Sequence, residues 1–458
     1  MWIQFVILLK IIYKRTWLVS IITVNMKTLL VFYYTKNNRY SLNALFGALE
    51  TDLEILSQVS VATAYTKDEL YKILSEVVSN YEKIILLISF FTTQFFEVKE
   101  VIDCIRKNFG KKIFCVAGGA HSTGLPLSSL KIGFDLIVIG EAEEVFLKLV
   151  NRIIKDEDFT DLSSIAYLDR NGNLVVNKRD NKLVDLNKFP PITKYFDHYG
   201  PIEITRGCPY GCYFCQTPQI FGTKLRHRSI EKICEYVEVM VSKGLADVRF
   251  TTPSLFLYGS KTGKDLNLIE LEELFKNVKK IIKSKGKLFI GTFPSEIRPE
   301  HVNKDTVVLL KKYADNDNVI IGVQSGSEKI LKLINRRHTL EDVVNAVELL
   351  SKTGFKVNLD FIFGLPYETE KDVEETIKFI DYLITKYNVR IHMHYFIPLP
   401  ATKFQDYLPT DNLNLYIKFI NTLKGRGIIY GDLEKQRTYY LILREIFKNY
   451  INQYDLSS

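Results

Sequence analysis

The chain has 458 residues, 47% of them hydrophobic and 25% charged, with 61 basic side chains against 53 acidic ones. That composition excludes a disordered chain and allows two or three packed domains. The net charge of +8 is spread without a block, which permits an anionic substrate or nucleic acid and argues for neither.

Residues 1–25, "MWIQFVILLKIIYKRTWLVSIITVN", are apolar, but Lys10, Lys14 and Arg15 cut them into uncharged runs of about ten residues where a membrane span needs about 20. No small-residue cleavage site follows. The folded unit is expected to begin at Met26, with 1–25 an untranslated or loosely attached extension; a peripheral membrane anchor is the alternative.

From 26 to about 155, apolar runs alternate with amphipathic segments. "TLLVFYY", "LEILSQV", "KIILLISF", "KIFCVAGG" and "DLIVIGE" read as five strands buried on both faces of a parallel sheet. A doubly wound α/β domain is expected, with its ligand site at the carboxyl ends of the strands. Two of those ends are rich in small residues, "AGGAHSTGLP" with Gly118 and Gly119 and "GEAEE" from Gly140, although glycines there can simply turn the chain.

Residues 156–199 change character. An Asn-Gly pair between short strands and a later Pro-Pro pair predict a hairpin followed by an extended connector, and a domain boundary. Over 200–400 a second alternation begins: "PIEITRG", "DVRFTTP", "KLFIGTFP", "NVIIGVQS", "KVNLDFIFG" and "RIHMHYFIP" are candidate strands with helical segments between them. Six βα units predict a whole or incomplete TIM-like barrel whose chemistry sits at the carboxyl ends of its strands. Residues 401–458 read as mostly helical.

"TRGCPYGCYFCQTP" follows the first of those strands and holds three of the six cysteines. The other three, Cys104, Cys115 and Cys234, are scattered, so there is no disulfide framework and a reducing cytoplasm fits. Cys208, Cys212 and Cys215 are spaced so that one loop can wrap three thiolates around a compact iron–sulfur cube, leaving a fourth iron open to a small molecule. The alternative is zinc with His227 or Cys234 as fourth ligand, but no second cysteine pair supports it.

This Cys-x3-Cys-x2-Cys spacing, with Phe214 before the last cysteine, resembles the signature of radical SAM enzymes, and its place after the first barrel strand resembles their partial (βα)6 barrel. The resemblance implies a 4Fe-4S cluster whose open iron chelates S-adenosylmethionine and whose electron cleaves it to a 5′-deoxyadenosyl radical. It also implies a low-potential electron donor such as ferredoxin or flavodoxin. "GVQSGSEKILKLINRRHTLEDV" and "LDFIFGLPYETEKD" resemble the fourth- and fifth-strand regions of family members related to oxygen-independent coproporphyrinogen dehydrogenases. By that likeness Gln324, Arg336 and Asp360 contact the polar parts of S-adenosylmethionine and Ile362 lies against the adenine; otherwise Arg336 and Asp360 are ordinary loop or surface charges. The second strand departs from the family pattern, carrying Thr251 and Thr252 where many members have glycines.

A doubly wound unit before such a barrel resembles the cobalamin-binding branch of the superfamily, in an archaeal-type form. This implies cobalamin near Gly118, Gly119, His121, Gly140 and Glu141. None of the seven histidines has an aspartate two residues before it, so an Asp-x-His cobalt ligand is not expected. The reading that follows is a cobalamin-dependent radical methyltransferase acting on an unknown small-molecule or macromolecular substrate. Its rivals are an RNA-modifying or rearranging radical enzyme without cobalamin, whose "KLRHR" loop (224–228) would meet phosphate, and a non-catalytic cluster protein. No aromatic-interleaved basic stripe favours nucleic acid.

Overall fold

The computed structural model describes residues 26–451 apart from Asn181 and Lys424, with side chains to Arg444. The expectation for residues 1–25 lies outside the described residues. The chain divides into two compact units, up to Gly200 and from Pro201.

The first unit is built on a seven-stranded sheet of β1 (Thr28–Tyr33), β2 (Val59–Ala64), β3 (Lys83–Ser89), β4 (Ile113–Gly118), β5 (Leu136–Val138), β6 (Ile165–Leu168) and β7 (Leu174–Val176), in the order 2-1-3-4-5-6-7. Strands β1 to β5 run parallel, while β6 and β7 are antiparallel additions. Every residue of β1 is buried, as a parallel strand covered on both faces requires. Phe32 stacks on Phe46 at 4.0 Å between ring centroids, joining the sheet to the helix Arg39–Thr51.

Two sequence expectations are corrected here. "LEILSQV" is not a strand: Leu53–Gln58 is a helical turn and a half, opened by Asp52, whose side chain accepts the Ile55 amide, and the strand is the next segment, "VSVATA". Small and hydroxyl side chains hid β2, which is only partly buried along its middle. The predicted hairpin exists, turning at Asn171-Gly172, but it extends the sheet instead of standing apart as a linker. The connector beyond it is fastened by Glu50, whose carboxylate accepts the Lys194 and Tyr195 amides at 3.0 and 2.7 Å. Burial raises that carboxyl to about 7.

The second unit contains β8 (Ile202–Glu203), β9 (Thr205–Arg206), β10 (Arg226–His227), β11 (Val248–Thr251), β12 (Leu288–Phe289), β13 (Asn318–Gln324), β14 (Lys356–Phe363), β15 (Val389–Tyr395) and β16 (Ile429–Tyr430). The parallel order is β8-β11-β12, then β13-β14-β15-β16, and β9 and β10 form a short antiparallel pair. A parallel bridge from Ile297 to Ile321, with the Ile320 amide donating to Gly291 O at 2.7 Å, spans the step from β12 to β13. Successive strands are therefore spatial neighbours, and their carboxyl ends lie on one side, as in a βα barrel segment. Strand β16 interrupts the helical C-terminal segment expected from sequence; its two residues are too few to carry a pattern. Among the described residues no helix is long and apolar enough to cross a membrane.

Candidate functional site

The cysteine loop leaves the carboxyl end of β9, and segments distant in sequence pin its backbone. The Cys208 amide donates to Gly222 O at 3.0 Å, Tyr213 N to Ile334 O at 3.1 Å and Phe404 N to Tyr213 O at 3.2 Å. The Asn335 amide donates to Tyr210 O and Gly211 O at 2.9 and 3.0 Å, and Gln216 Nε2 to Pro400 O at 2.8 Å. At Gly207, where φ is +89°, a Cβ would stand 2.1 Å from Lys224 O, so a larger residue would push the loop off the β9–β10 pair.

All three thiols are free and lie in an apolar setting formed by Tyr210, Phe214, Leu225 and Leu257. Burial pushes the Cys208 thiol up to about 11. Positive charge is placed beside this loop. Arg336 Nη1 is 3.8 Å from Cys212 Sγ, its Nη2 donates to Gly322 O at 2.6 Å, and its buried Nε has no partner. Arg298, 4% exposed, lies over the Tyr210 ring at 3.6 Å and pairs with Glu300. Two buried guanidinium groups beside three thiols suit an anionic, thiolate-ligated group.

A mononuclear zinc ion would draw its sulfurs to about 3.8 Å of one another. Among the described residues, the ligand groups that converge within 4.8 Å do not include these thiols. His227, a candidate fourth ligand, is engaged at both nitrogens, with Thr205 Oγ1 at 3.0 Å and Ser260 O at 2.8 Å. Three thiols on one loop beside two buried guanidinium groups suit an anionic cluster ligated by three thiolates.

The residues assigned by resemblance to S-adenosylmethionine all lie in this unit. Gln324 ends β13 at a register shift and holds φ at +79°, a left-handed conformation uncommon outside glycine. Asp360 and Ile362 share one face of β14. Ile362 packs in the apolar group that includes Tyr213 and Phe214 of the cysteine loop, and Asp360 Oδ1 faces His392 Nδ1 at 3.0 Å. Arg336 and Asp360 are thus not loose surface charges. At the second strand, Thr251 O already accepts the Ile204 amide at 3.0 Å, while the buried Thr251 hydroxyl has no partner.

Sequence reasoning missed Glu296, Arg298, His392 and His394. Burial, and then the charge of Asp360, hold the Glu296 carboxyl above its ordinary range. The signals were present as a charged "SEIRPEH" in the loop beyond β12 and as histidines at alternate positions of "HMH", one face of one strand.

In the first unit, Gly119 has φ +88° and a Cβ there would strike Ser89 Oγ and the Phe90 backbone at 2.7–2.8 Å, so its role is close packing within the sheet end. His121 is fully buried, with Nδ1 3.1 Å from Thr92 Oγ1 and Nε2 2.9 Å from Ser128 Oγ. Burial lowers its pKa to about 3. It is structural, held between Phe90 and Phe95. Gly118, Gly140 and Glu141 stay half-buried at neighbouring strand ends, and Gly140 N donates to Thr123 Oγ1 at 3.0 Å. With both ring nitrogens engaged, His121 does not present a free nitrogen as a metal ligand.

In the "KLRHR" run Lys224 is exposed and Arg226 half-buried, while Leu225 and Arg228 turn inward. Arg228 is 1% exposed with Nε donating to Glu203 O at 2.9 Å, and His227 is engaged as described.

Residues 202–380 match the family model described as the Radical SAM superfamily, so the chain carries a radical SAM domain, with the 4Fe-4S cluster and S-adenosylmethionine which that family implies. The chain is 26% identical over 371 residues to the uncharacterized methyltransferase PH0819 of Pyrococcus horikoshii, covering 78% of this chain and 76% of that protein. It is 28% identical over 299 residues to a tRNA-2-methylthio-N(6)-dimethylallyladenosine synthase of Orientia tsutsugamushi, covering 60% and 62%. Among solved structures it resembles the radical S-adenosylmethionine methyltransferase TsrM of Kitasatospora setae, determined with cobalamin and a 4Fe-4S cluster bound. The TM-score is 0.63 at 16% identity, covering 82% of this chain and 76% of TsrM. At that identity the likeness is one of fold, and it extends over both units.

Proposed function

We propose that this chain is a cobalamin-dependent radical enzyme that transfers a methyl group to an unactivated carbon of its substrate. The observation that carries the radical part is the free three-thiol loop at the strand ends with Arg336 against Cys212. When bound, the cluster supplies the electron that cleaves S-adenosylmethionine, and cobalamin supplies a methyl carrier. Cys208, Cys212 and Cys215 hold the cluster. Gln324, Arg336 and Asp360 hold the polar parts of S-adenosylmethionine, and Ile362 gives its adenine an apolar wall. Gly118, Gly140 and Glu141 line the cobalamin site, whose support is the doubly wound order 2-1-3-4-5 and the likeness to a cobalamin-bound structure. A low-potential ferredoxin or flavodoxin would deliver the electron.

Reconstituted without oxygen and reduced, the chain should convert S-adenosylmethionine to 5′-deoxyadenosine, and Cys208→Ala, Cys212→Ala or Cys215→Ala should each abolish it. Product formed at an undiminished rate by these variants would overturn the assignment.

A second reading, an RNA-modifying radical enzyme without cobalamin, draws on the likeness to the tRNA-modifying synthase and on the inward-turned His121. The buried Arg228 weighs against its proposed phosphate contact.

A further inference from the structure

Strands β14 and β15 pair so that Asp360 stands opposite His392, and Ile362 opposite His394. Side chains alternate along each strand, so Asp360, Ile362, His392 and His394 share the face that carries Ile362 to Tyr213 and Phe214 of the cysteine loop. The ligand atoms of Asp360, His392 and His394 all lie within 4.8 Å of one another. Both imidazoles address the same carboxylate oxygen: His392 Nδ1 is 3.0 Å and His394 Nε2 3.9 Å from Asp360 Oδ1.

Two donors each about 2.1 Å from one ion stand about 3.0 Å apart at a right angle and at most about 4.2 Å apart in line. Both separations, 3.0 and 3.9 Å, fall in that window. The His392 ring is also held in place, because Tyr430, its register partner on β16, stacks on it at 4.3 Å and 8°. The stack limits rotation of the His392 ring. The three side chains stay 18–40% exposed, which leaves further coordination positions open. A hydrogen-bonded pair that only stitched β14 to β15 would need neither a second imidazole at the same oxygen nor this openness.

We propose that Asp360, His392 and His394 form a site for one divalent transition-metal ion of the zinc or iron(II) class, distinct from the cysteine cluster, with open positions for an oxygen donor of the substrate. Two histidines and one carboxylate with vacant positions are a donor set selected by such ions. Oδ1 carries both imidazole contacts, so Oδ2 is left for the S-adenosylmethionine contact already proposed. The inference goes beyond the methyl-transfer reading and does not depend on it.

The test uses the full chain carrying Cys208→Ser, Cys212→Ser and Cys215→Ser, so that no cluster thiol can take the probe. Stripped protein is dialysed against buffered zinc and its metal counted by mass spectrometry. About one zinc per chain is expected, lost in His392→Ala and His394→Ala and in the milder His394→Gln, with circular dichroism unchanged. Zinc should also raise the melting temperature of the parent and not that of His394→Gln, a readout independent of the alanine variants. No zinc in the parent, or equal zinc in the histidine variants, overturns the site. Failure of the radical reading shows instead as no 5′-deoxyadenosine from the wild-type chain, which leaves the zinc count untouched.

Discussion

At the scale of single residues, the proposed chemistry rests on the three cysteines and on the charge of Arg336 beside Cys212. A guanidinium whose Nη1 is 3.8 Å from a ligand sulfur favours the reduced, more negative state of a bound cluster. Replacing it by the neutral Arg336→Gln should therefore lower the midpoint potential, on the order of 50–100 mV for one charge at an intermediate effective dielectric. A redox titration followed by electron paramagnetic resonance checks this, and an unchanged potential with full iron content would show that the charge is screened. The three cysteines stand out in the sequence because a single chelating loop requires short spacing. Arg298, Glu296 and the two histidines of β15 do not, because they come from a loop after β12 and from a later strand, and only the fold brings them near it.

At the scale of elements, the helix Glu370–Lys386 shows how the strand-end loops are fixed. Asp372 near its start is 3% exposed and accepts from four donors: the Thr369 amide at 2.8 Å, Thr369 Oγ1 at 2.6 Å, Ser327 Oγ at 2.9 Å and Lys329 Nζ at 2.6 Å. Thr376 one turn on accepts the Gly326 amide at 3.1 Å. The helix thereby holds the turn after β13, three residues past Gln324. Asp372→Ala would leave these donors unmet and should destabilise the second unit by about 2 kcal/mol in a denaturant titration, with S-adenosylmethionine binding weakened through the displaced turn. The "PYETEKD" stretch announces this helix through its capping residues, with Thr369 and Asp372 forming a reciprocal box. "LEILSQV" misled because an apolar run of seven serves a short helix as well as a strand, and the Asp52 cap was the signal that separates the two. β2 was overlooked because "VSVATA" buries little apolar surface.

At the scale of the whole molecule, the order of the two units was legible from the change of rhythm at the Asn-Gly hairpin and the Pro-Pro connector, and the chain divides at Gly200. What was less visible was membership: β6 and β7 belong to the first sheet, and β16 to the second, because one edge strand supplies pairing partners that no local pattern records. The first unit also refined its own site. Gly119 and His121 serve internal packing, so the proposed cobalamin site is narrowed to Gly118, Gly140 and Glu141.

The central claim is that one chain carries both a cluster and a corrin. It is tested most directly by anaerobic reconstitution with iron, sulfide and hydroxocobalamin, followed by desalting and metal analysis. About four irons and one cobalt per chain are predicted. Four irons without retained cobalt would contradict the cobalamin assignment while leaving the radical SAM domain in place, and fewer than about one iron would contradict the cluster itself.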